Sequence, residues 1–515
     1  MLDSIWAVTS ALALGMVGLL YIRFRRWSRT FQNLNIPGPK PAPLIGNLSI
    51  VFKEKSVVNV TDKMTAQYGK VYGFFFGLSP TLFVTNLDTV RDILSKQFHA
   101  FVNRSGVAAL EHRPWASTLL FLKDDHWRHV RAQLSPTFST GKLKQVVSTI
   151  DHVTKNLENN VQDLATKGEI VELKKLCGSF SMDVIAGAAF GVQVDSLVNP
   201  DDVFNQRALD LINKNQWVFL CVSFPVVLKF LKLIGITVPP ASPTQYFVSF
   251  LKAAMQERRQ DNTHNKYKDF LQLLVEAEKE GAQGPVDKEI DYSSQLNTSS
   301  QWKQKGLTED EILGNALSFM FGGYDTVSTV MSYTLFSLAG NPQCLRKAQE
   351  EVDSVLGENG QMTYEKANEL TYLDMCMSEA MRMYPPGFLL GRTCTENVEV
   401  AGGYHVTKGM DIMIPVVNIH MDPDHWPEPE KFDPQRFTPE ERAKRHPFAY
   451  LPFGQGPRNC IGLRLAQLEI RMAVASLLRR YTPVLCDKSV YPPRLLILSR
   501  VDAIDGLWVK FQLRE

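Results

Sequence analysis

Cysteine is scarce: seven residues in a chain of 515, odd in number and widely scattered. Such spacing offers neither a disulfide framework nor a zinc-type cluster, and it suits a reducing compartment. An excess of one charge is also missing. Lys plus Arg number 56 and Asp plus Glu 54, a formal net charge of +2. That argues against a chain built around a nucleic-acid-binding field, so no nucleic-acid partner is expected. Internal repeats are absent, and no composition shift divides the bulk of the chain. Hydrophobic residues at 44% and charged residues at 21% suit one large globular domain. They exclude a disordered chain, a collagen and a multi-span membrane protein.

One long uncharged run stands out, residues 5–22 (IWAVTSALALGMVGLLYI). As a helix it would reach roughly 27 Å, close to the hydrocarbon thickness of a bilayer. Arg23, Arg25, Arg26 and Arg29 follow it, and Asp3 is the only charged side chain before it. A cleaved signal peptide has the opposite charge order. Residues 1–28 are therefore expected to form an uncleaved single-pass anchor and basic stop, with the remainder on the cytoplasmic side. The sequons at Asn47, Asn59, Asn103 and Asn297 would then stay unmodified. The proline-rich residues 29–46 read as a stiff hinge, and residues 47–515 as the main domain. Residues 217–236 are apolar but broken by Pro225 and lysines, which fits a segment dipping into the same membrane or a buried loop pair. Residues 280–305 are polar and read as a surface loop.

Most of residues 60–290 carry a helical pattern, with short β-like runs such as Leu82-Phe83-Val84-Thr85. Thr308 and Glu311 have capping-box spacing, and Gly340-Asn341-Pro342 closes the helix they open. Its centre reads Phe321-Gly322-Gly323-Tyr324-Asp325-Thr326-Val327-Ser328. Paired glycines cost about 1 kcal/mol each there, and a buried Asp is costly unless paired or protonated. Two readings stand. In one, the helix opens its hydrogen-bond ladder, giving a proton path from a freed carbonyl, the Thr326 hydroxyl and the Asp325 carboxyl. Or small residues serve a helix crossing, with Thr326 bonded to its own backbone.

The segment Phe453-Gly454-Gln455-Gly456-Pro457-Arg458-Asn459-Cys460-Ile461-Gly462 leads into an apolar-periodic run from Leu463 to Leu478. Cys460 sits where backbone N–H groups and the helix dipole favour a thiolate. It suits an axial haem ligand with Arg458 near a propionate. A reactive nucleophile, a zinc ligand or an inert cysteine are the alternatives, though zinc would want more ligands close by.

This segment resembles the F-x-x-G-x-R-x-C-x-G signature of the cytochrome P450 family. Glu379-Ala380-Met381-Arg382 is similar to the family's E-x-x-R pattern, and Trp127 with Arg131 to its W-x-x-x-R. The resemblance runs from the proline-rich stretch onward. It is strongest to the three-A subfamily and its thromboxane-synthase relatives, partly through residues 135–144 (SPTFSTGKLK). Where that subfamily has A-G-Y-E-T-T, this chain has G-G-Y-D-T-V, so substrate range is the property most open.

The resemblance implies a mainly α fold with small β-sheets (α+β), one haem domain behind the anchor. It implies haem b held by Cys460, with Phe453, Arg458 and Gly462 in the cysteine loop. Trp127, Arg131, Arg392 and Arg104 would meet the propionates. Thr326 would hydrogen-bond dioxygen and Asp325 would relay protons. Glu379, Arg382 and Arg436 would form a structural lock, and Ser318, Phe321, Gly322, Phe388, Leu389 and Leu390 would line the substrate pocket.

The implied activity is monooxygenation of an apolar xenobiotic, steroid or lipid at the endoplasmic reticulum membrane. Electrons would come from NADPH through cytochrome P450 reductase, with cytochrome b5 as an optional second partner. Arg442, Lys444, Arg445, Arg458 and Arg464 are the expected docking patch. An isomerase or lyase acting on fatty-acid peroxides without a reductase is the alternative, and a haem carrier the third reading.

Overall fold

The computed structural model describes residues 6, 15, 16, 18 and 21–514, except 106–112, 200, 201, 214–240, 261–268, 280–304, 358, 359, 498 and 499. The expected anchor run 5–22 lies mostly outside the described residues, and the segments 217–236 and 280–304 wholly so. Among the described residues no helix is long and apolar enough to cross a membrane. Helices dominate and the sheets are small, in keeping with the expected α+β class.

Alternate side chains of the strand Val71–Phe76 point to opposite faces. Tyr72 and Phe74 pack with Leu48, Val51, Val60 and Met64 from the helices Leu48–Glu54 and Val57–Tyr68. Val71 and Phe75 pack with Phe31, Ile36 and Val84 on the other face. This strand runs antiparallel to Ser79–Val84, which lies parallel to Asp411–Pro415. The far edge, Leu389–Thr393, is antiparallel again and sets Leu390 opposite Ile414. A second sheet places Trp508–Leu513 between Val171–Glu172 and Tyr481–Leu485.

The stretch 29–46 is laid onto the first sheet and is no free spacer. Gly73 donates its N–H to the Pro37 carbonyl at 2.8 Å, Gly46 bridges Phe76, and Phe31 and Ile36 are buried. Buried apolar side chains and strand-edge bonds here hold what proline stiffness alone would leave as a rod.

The central helix, Glu309–Gly340, starts on the predicted capping box. The Thr308 N–H donates to Glu311 Oε2 at 2.7 Å, and the Glu311 N–H to Thr308 Oγ1 at 3.4 Å. Being apolar nearly all round, it must be buried, and it packs against Leu173–Phe190, Thr371–Met383 and Leu463–Arg480. The helix stays continuous through residues 321–326, so the expected opening of its ladder does not occur. The crossing reading holds for one glycine and not the other, and its bond from Thr326 to the helix backbone is present. A Cβ on Gly323 would come within 2.8 Å of Ile185, so that glycine serves the crossing with Leu173–Phe190. A Cβ on Gly322 would meet nothing within 4 Å, so that glycine opens a groove.

Candidate active site

One asparagine gathers the first elements. Asn103 Oδ1 accepts the Asp124 N–H at 2.8 Å, and its Nδ2 donates to Asp124 Oδ1 at 2.9 Å. Its carbonyl accepts the Thr393 N–H at 2.8 Å. The start of the helix Asp124–Leu134 is thereby fixed to the strand Leu389–Thr393. Trp127 and Arg131, four residues apart on one helical face, are carried to the same place as Arg104 and Arg392.

The cysteine loop enters this cluster folded on itself. The Leu451 carbonyl accepts the Gly454 N–H at 3.0 Å, and the Phe453 carbonyl accepts the Cys460 N–H at 2.9 Å. At Gly456, φ is +79° and a Cβ would fall 1.8 Å from the Leu94 carbonyl oxygen, so only glycine fits. Gly462 caps the helix Leu463–Arg480. Cys460 remains accessible, yet enough protein surrounds its sulfur that burial pushes the thiol up. The Gly462 N–H, Arg131 and Arg104 pull the other way. The sequence reading names backbone N–H groups and the helix dipole as favouring a thiolate; the Gly462 N–H acts in that direction, against burial.

Four arginines surround this loop. Arg458 is 3% exposed, lies over the Trp127 ring at 4.7 Å, and donates to the carbonyls of Val102, Leu119 and Leu122. It is therefore buried and cannot belong to a docking patch as the sequence reading supposed; its guanidinium is spent on three backbone carbonyls. Arg131 donates to the Asn459 carbonyl at 3.0 Å and side-chain oxygen at 3.1 Å. Arg104 reaches the Arg458 carbonyl at 3.4 Å, and Arg392 the Gly391 carbonyl at 2.8 Å.

Among the described residues none of these bonds goes to a carboxylate. The Nε atoms of Arg104, Arg392 and Arg458 are buried without a partner among the described residues. Burial lowers Arg131 to about 10 and Arg392 to about 9, and the positive charge of Arg104 adds to both. Buried cations with donors left over call for anions. The two propionates of a haem are such anions, and the accessible Cys460 sulfur is a suitable axial donor, so the residues present fit that group.

The other wall is built by the central helix. Ser318, Gly322 and Thr326 recur every four residues on one stripe, and Gly322 and Thr326 are exposed along it. The Thr326 hydroxyl donates to the Gly322 carbonyl. The Phe321 ring meets Trp115 edge-on at 5.0 Å. Phe319 meets Phe138 at 5.3 Å, and Phe138 in turn lies 3.8 Å from where a Gly462 Cβ would stand. One ring therefore separates this helix from the cysteine loop. Phe388, Leu389 and Leu390 are half-buried, and Leu390 approaches Gly454.

Asp325 does not share the Thr326 stripe. Its Oδ1 pairs with Lys174 Nζ at 3.0 Å, and the same ammonium donates to the Asp325 carbonyl, Ser328 and Thr329. Glu379 and Arg382 pair through two bonds of 2.7 and 2.9 Å, both side chains fully buried. Arg436 Nε stands 3.3 Å from Glu379 Oε1, and the Asp433 N–H donates to that oxygen at 2.9 Å.

Sequence reasoning missed several participants. Asn459 adjoins Cys460 and was in view, but nothing local marked it as the Arg131 acceptor. Lys174 reads as an ordinary surface lysine, and Asn103 as a chance sequon. Glu469 is 2% exposed and touches the Ser181 hydroxyl, which donates to the Gly323 carbonyl at 3.0 Å. Its Oε1 has no partner among the described residues, and burial pushes the carboxyl well above the usual range. A neutral Glu469 can donate to Ser181.

Folding then takes up a proton above the ordinary carboxyl value of 4.5. Stability should fall as pH rises, by up to ~1.4 kcal/mol per pH unit. Glu469→Gln, neutral at every pH, should melt close to the parent at about pH 5 and above it at about pH 8. Thermal melts across pH test this, and parallel curves would refute it.

An accessible cysteine at a helix start, with three buried arginines and Arg104 around it, fits a haem-thiolate site. Comparison with known proteins agrees. Residues 36–498 match the family model described as Cytochrome P450. The chain is 35% identical to cytochrome P450 3A11 of Mus musculus over 94% of its own length and 92% of that protein. It is 34% identical to cytochrome P450 3A41 of the same species, covering 93% and 92%. It is 33% identical to lithocholate 6-beta-hydroxylase of Mesocricetus auratus, covering 93% and 91%. The chain belongs to the cytochrome P450 family and is a monooxygenase of that family. Its cofactor is haem b, and NADPH is used through a reductase.

Proposed function

We propose that this chain hydroxylates steroid-like or similarly apolar small molecules at the endoplasmic reticulum membrane, held there by residues 5–22. The stripe Ser318, Gly322 and Thr326 beside Phe321 carries this reading: an open glycine between two hydroxyls, next to an aromatic ring. The name lithocholate 6-beta-hydroxylase borne by one relative suggests the substrate class. Leu44, Ile45, Phe52 and Leu78 are 72%, 43%, 56% and 52% exposed, and the Trp27 indole donates to the Leu78 carbonyl. An apolar rim near the N-terminal segment supports contact with lipid.

Bound haem would supply the oxygen-activating chemistry, with Cys460 as its thiolate donor and Arg104, Arg131, Arg392 and Arg458 holding its carboxylates through Trp127-backed packing. Thr326 Oγ1 can turn its proton from the Gly322 carbonyl toward a ligand in the groove. Asp325, 27% exposed but held by Lys174 off the Thr326 stripe, can relay a proton from solvent toward that hydroxyl only once its carboxylate leaves the ammonium. Ser318, Phe321, Gly322, Phe388, Leu389 and Leu390 select substrate by shape. Glu379, Arg382 and Arg436 hold the elements beneath the cysteine loop.

Reductase docking falls to Arg442 and Lys444, whose side chains are 49% and 70% exposed. Cytochrome b5 would use the same face. Arg445 is taken up over the Trp426 ring at 3.8 Å, and Arg464 donates to Thr140.

The test supplies the full chain with NADPH, reductase and lipid vesicles, then a panel of steroids and bile acids. The expected product is one oxygen atom heavier and needs NADPH. Thr326→Ala should lower product per NADPH by at least about tenfold while NADPH oxidation continues and peroxide accumulates. Rearrangement of a fatty-acid hydroperoxide without NADPH, insensitive to Thr326→Ala, would establish the isomerase instead.

A further inference from the structure

We propose that His420 is a positioning residue whose neutral ring ties the Glu379–Arg382 pair to the loop that carries Cys460. His420 is fully buried at the end of the short helix Val416–His420. It is clamped to Arg382 by two reciprocal bonds. Arg382 Nη1 donates to the His420 carbonyl at 2.9 Å, and His420 Nδ1 lies 3.1 Å from the Arg382 carbonyl. On the other edge of the ring, the Leu451 N–H donates to Nε2 at 2.8 Å.

A backbone amide only donates, so Nε2 carries no proton and Nδ1 donates to Arg382. One tautomer satisfies both neighbours, and a doubly protonated ring would set Nε2–H against the Leu451 N–H. Leu451 opens the loop whose next bonds are Gly454 N–H to Leu451 and Cys460 N–H to Phe453. The ring also stacks on Tyr450 at 5.4 Å, and the Tyr450 hydroxyl donates to the Ser378 carbonyl at 2.9 Å, one residue before Glu379. Two parallel ties therefore run from the helix Thr371–Met383 into the loop.

The charged groups facing His420 are Arg382, with Glu379 and Arg436 behind it; Arg445 is screened by Trp426. Burial, with Arg382 adding to it, holds the imidazole down at about 3, in keeping with the neutral ring.

A ring that merely fills space predicts a different outcome from one that ties. His420→Phe keeps the bulk and the stack but loses both bonds. His420→Gln can accept from Leu451 and donate to Arg382. In the full chain as purified, the Phe variant should show hydrogen exchange over residues 451–460 faster by about tenfold. Part of its reduced, carbon-monoxide-treated form should lose the far-shifted Soret band. The Gln variant should recover toward the parent in both.

Unchanged exchange in the Phe variant, or a Gln variant as damaged as Phe, overturns the proposal. Nitrogen-15 spectra of the parent imidazole supply a reading that needs no variant. Protonated Nδ1 with bare Nε2 is expected, and the opposite tautomer refutes the tie. The exchange and tautomer readings do not depend on haem, whereas the Soret reading rests on the proposed role of Cys460; loss of that band alone in the parent would sink the role and leave the tie.

Discussion

Cys460→Ser is expected to abolish the far-shifted Soret band of the reduced, carbon-monoxide-treated protein and to lower NADPH-driven oxygenation to background. A serine hydroxyl keeps its proton at neutral pH and offers iron a hard, weak donor, so the electron push that a thiolate gives toward O–O cleavage is lost. The loop itself should survive. Its backbone bonds use the N–H of residue 460, which serine retains, and the fit at Gly456 against Leu94 is untouched. Pigment should be held more weakly but not lost altogether, since Arg104, Arg131, Arg392 and Arg458 still present buried donors without carboxylate partners. Absorption spectra with a haem assay separate these effects. A Ser variant that kept the shifted band would refute Cys460 as the ligand.

What the sequence discloses of this site is what is local. The loop 453–462 is legible because glycine and cysteine spacing within ten residues encodes a turn, a close approach and a helix start. The capping box at Thr308 is legible for the same reason, as is the pair of Glu379 with Arg382 at one helical face. Partners far along the chain are not. Lys174 lies 151 positions from Asp325, and no periodicity connects them. Asn103 acts through three hydrogen bonds to two elements that only the fold brings together.

The glycine pair shows a subtler limit. Propensity marks both residues as costly in a helix but does not say what stands opposite each. Ile185 decides that Gly323 serves a crossing, and open space decides that Gly322 does not. Arg458 misled for a related reason: charge suggests a surface, while three carbonyls and an indole ring hold it inside.

Arg382→Ala is expected to be the most damaging change away from the loop, costing about 3–5 kcal/mol of stability and most bound haem. The reason is stoichiometric. Arg382 Nε and Nη2 bind both Glu379 oxygens, Nη1 holds the His420 carbonyl at 2.9 Å, and Nη2 also holds the Pro429 carbonyl at 2.7 Å. Removing the side chain leaves a fully buried carboxylate with Arg436 as its ion-pair partner, and takes a donor from the carbonyls of His420, Pro429 and Lys431. Arg382→Lys should be nearly as severe, because an ammonium cannot span both carboxylate oxygens and two carbonyls on separate segments. Glu379→Gln should be milder than Arg382→Ala, since it keeps the oxygen acceptor for the Asp433 N–H. Denaturant unfolding with a parallel haem assay ranks the three. An alanine variant that unfolded like the parent would show the pair to be replaceable, as buried ion pairs sometimes are when neighbours repack. The loop would then be held through Tyr450 and Ser378 and through His420, whose bond to the residue-382 carbonyl does not use that side chain.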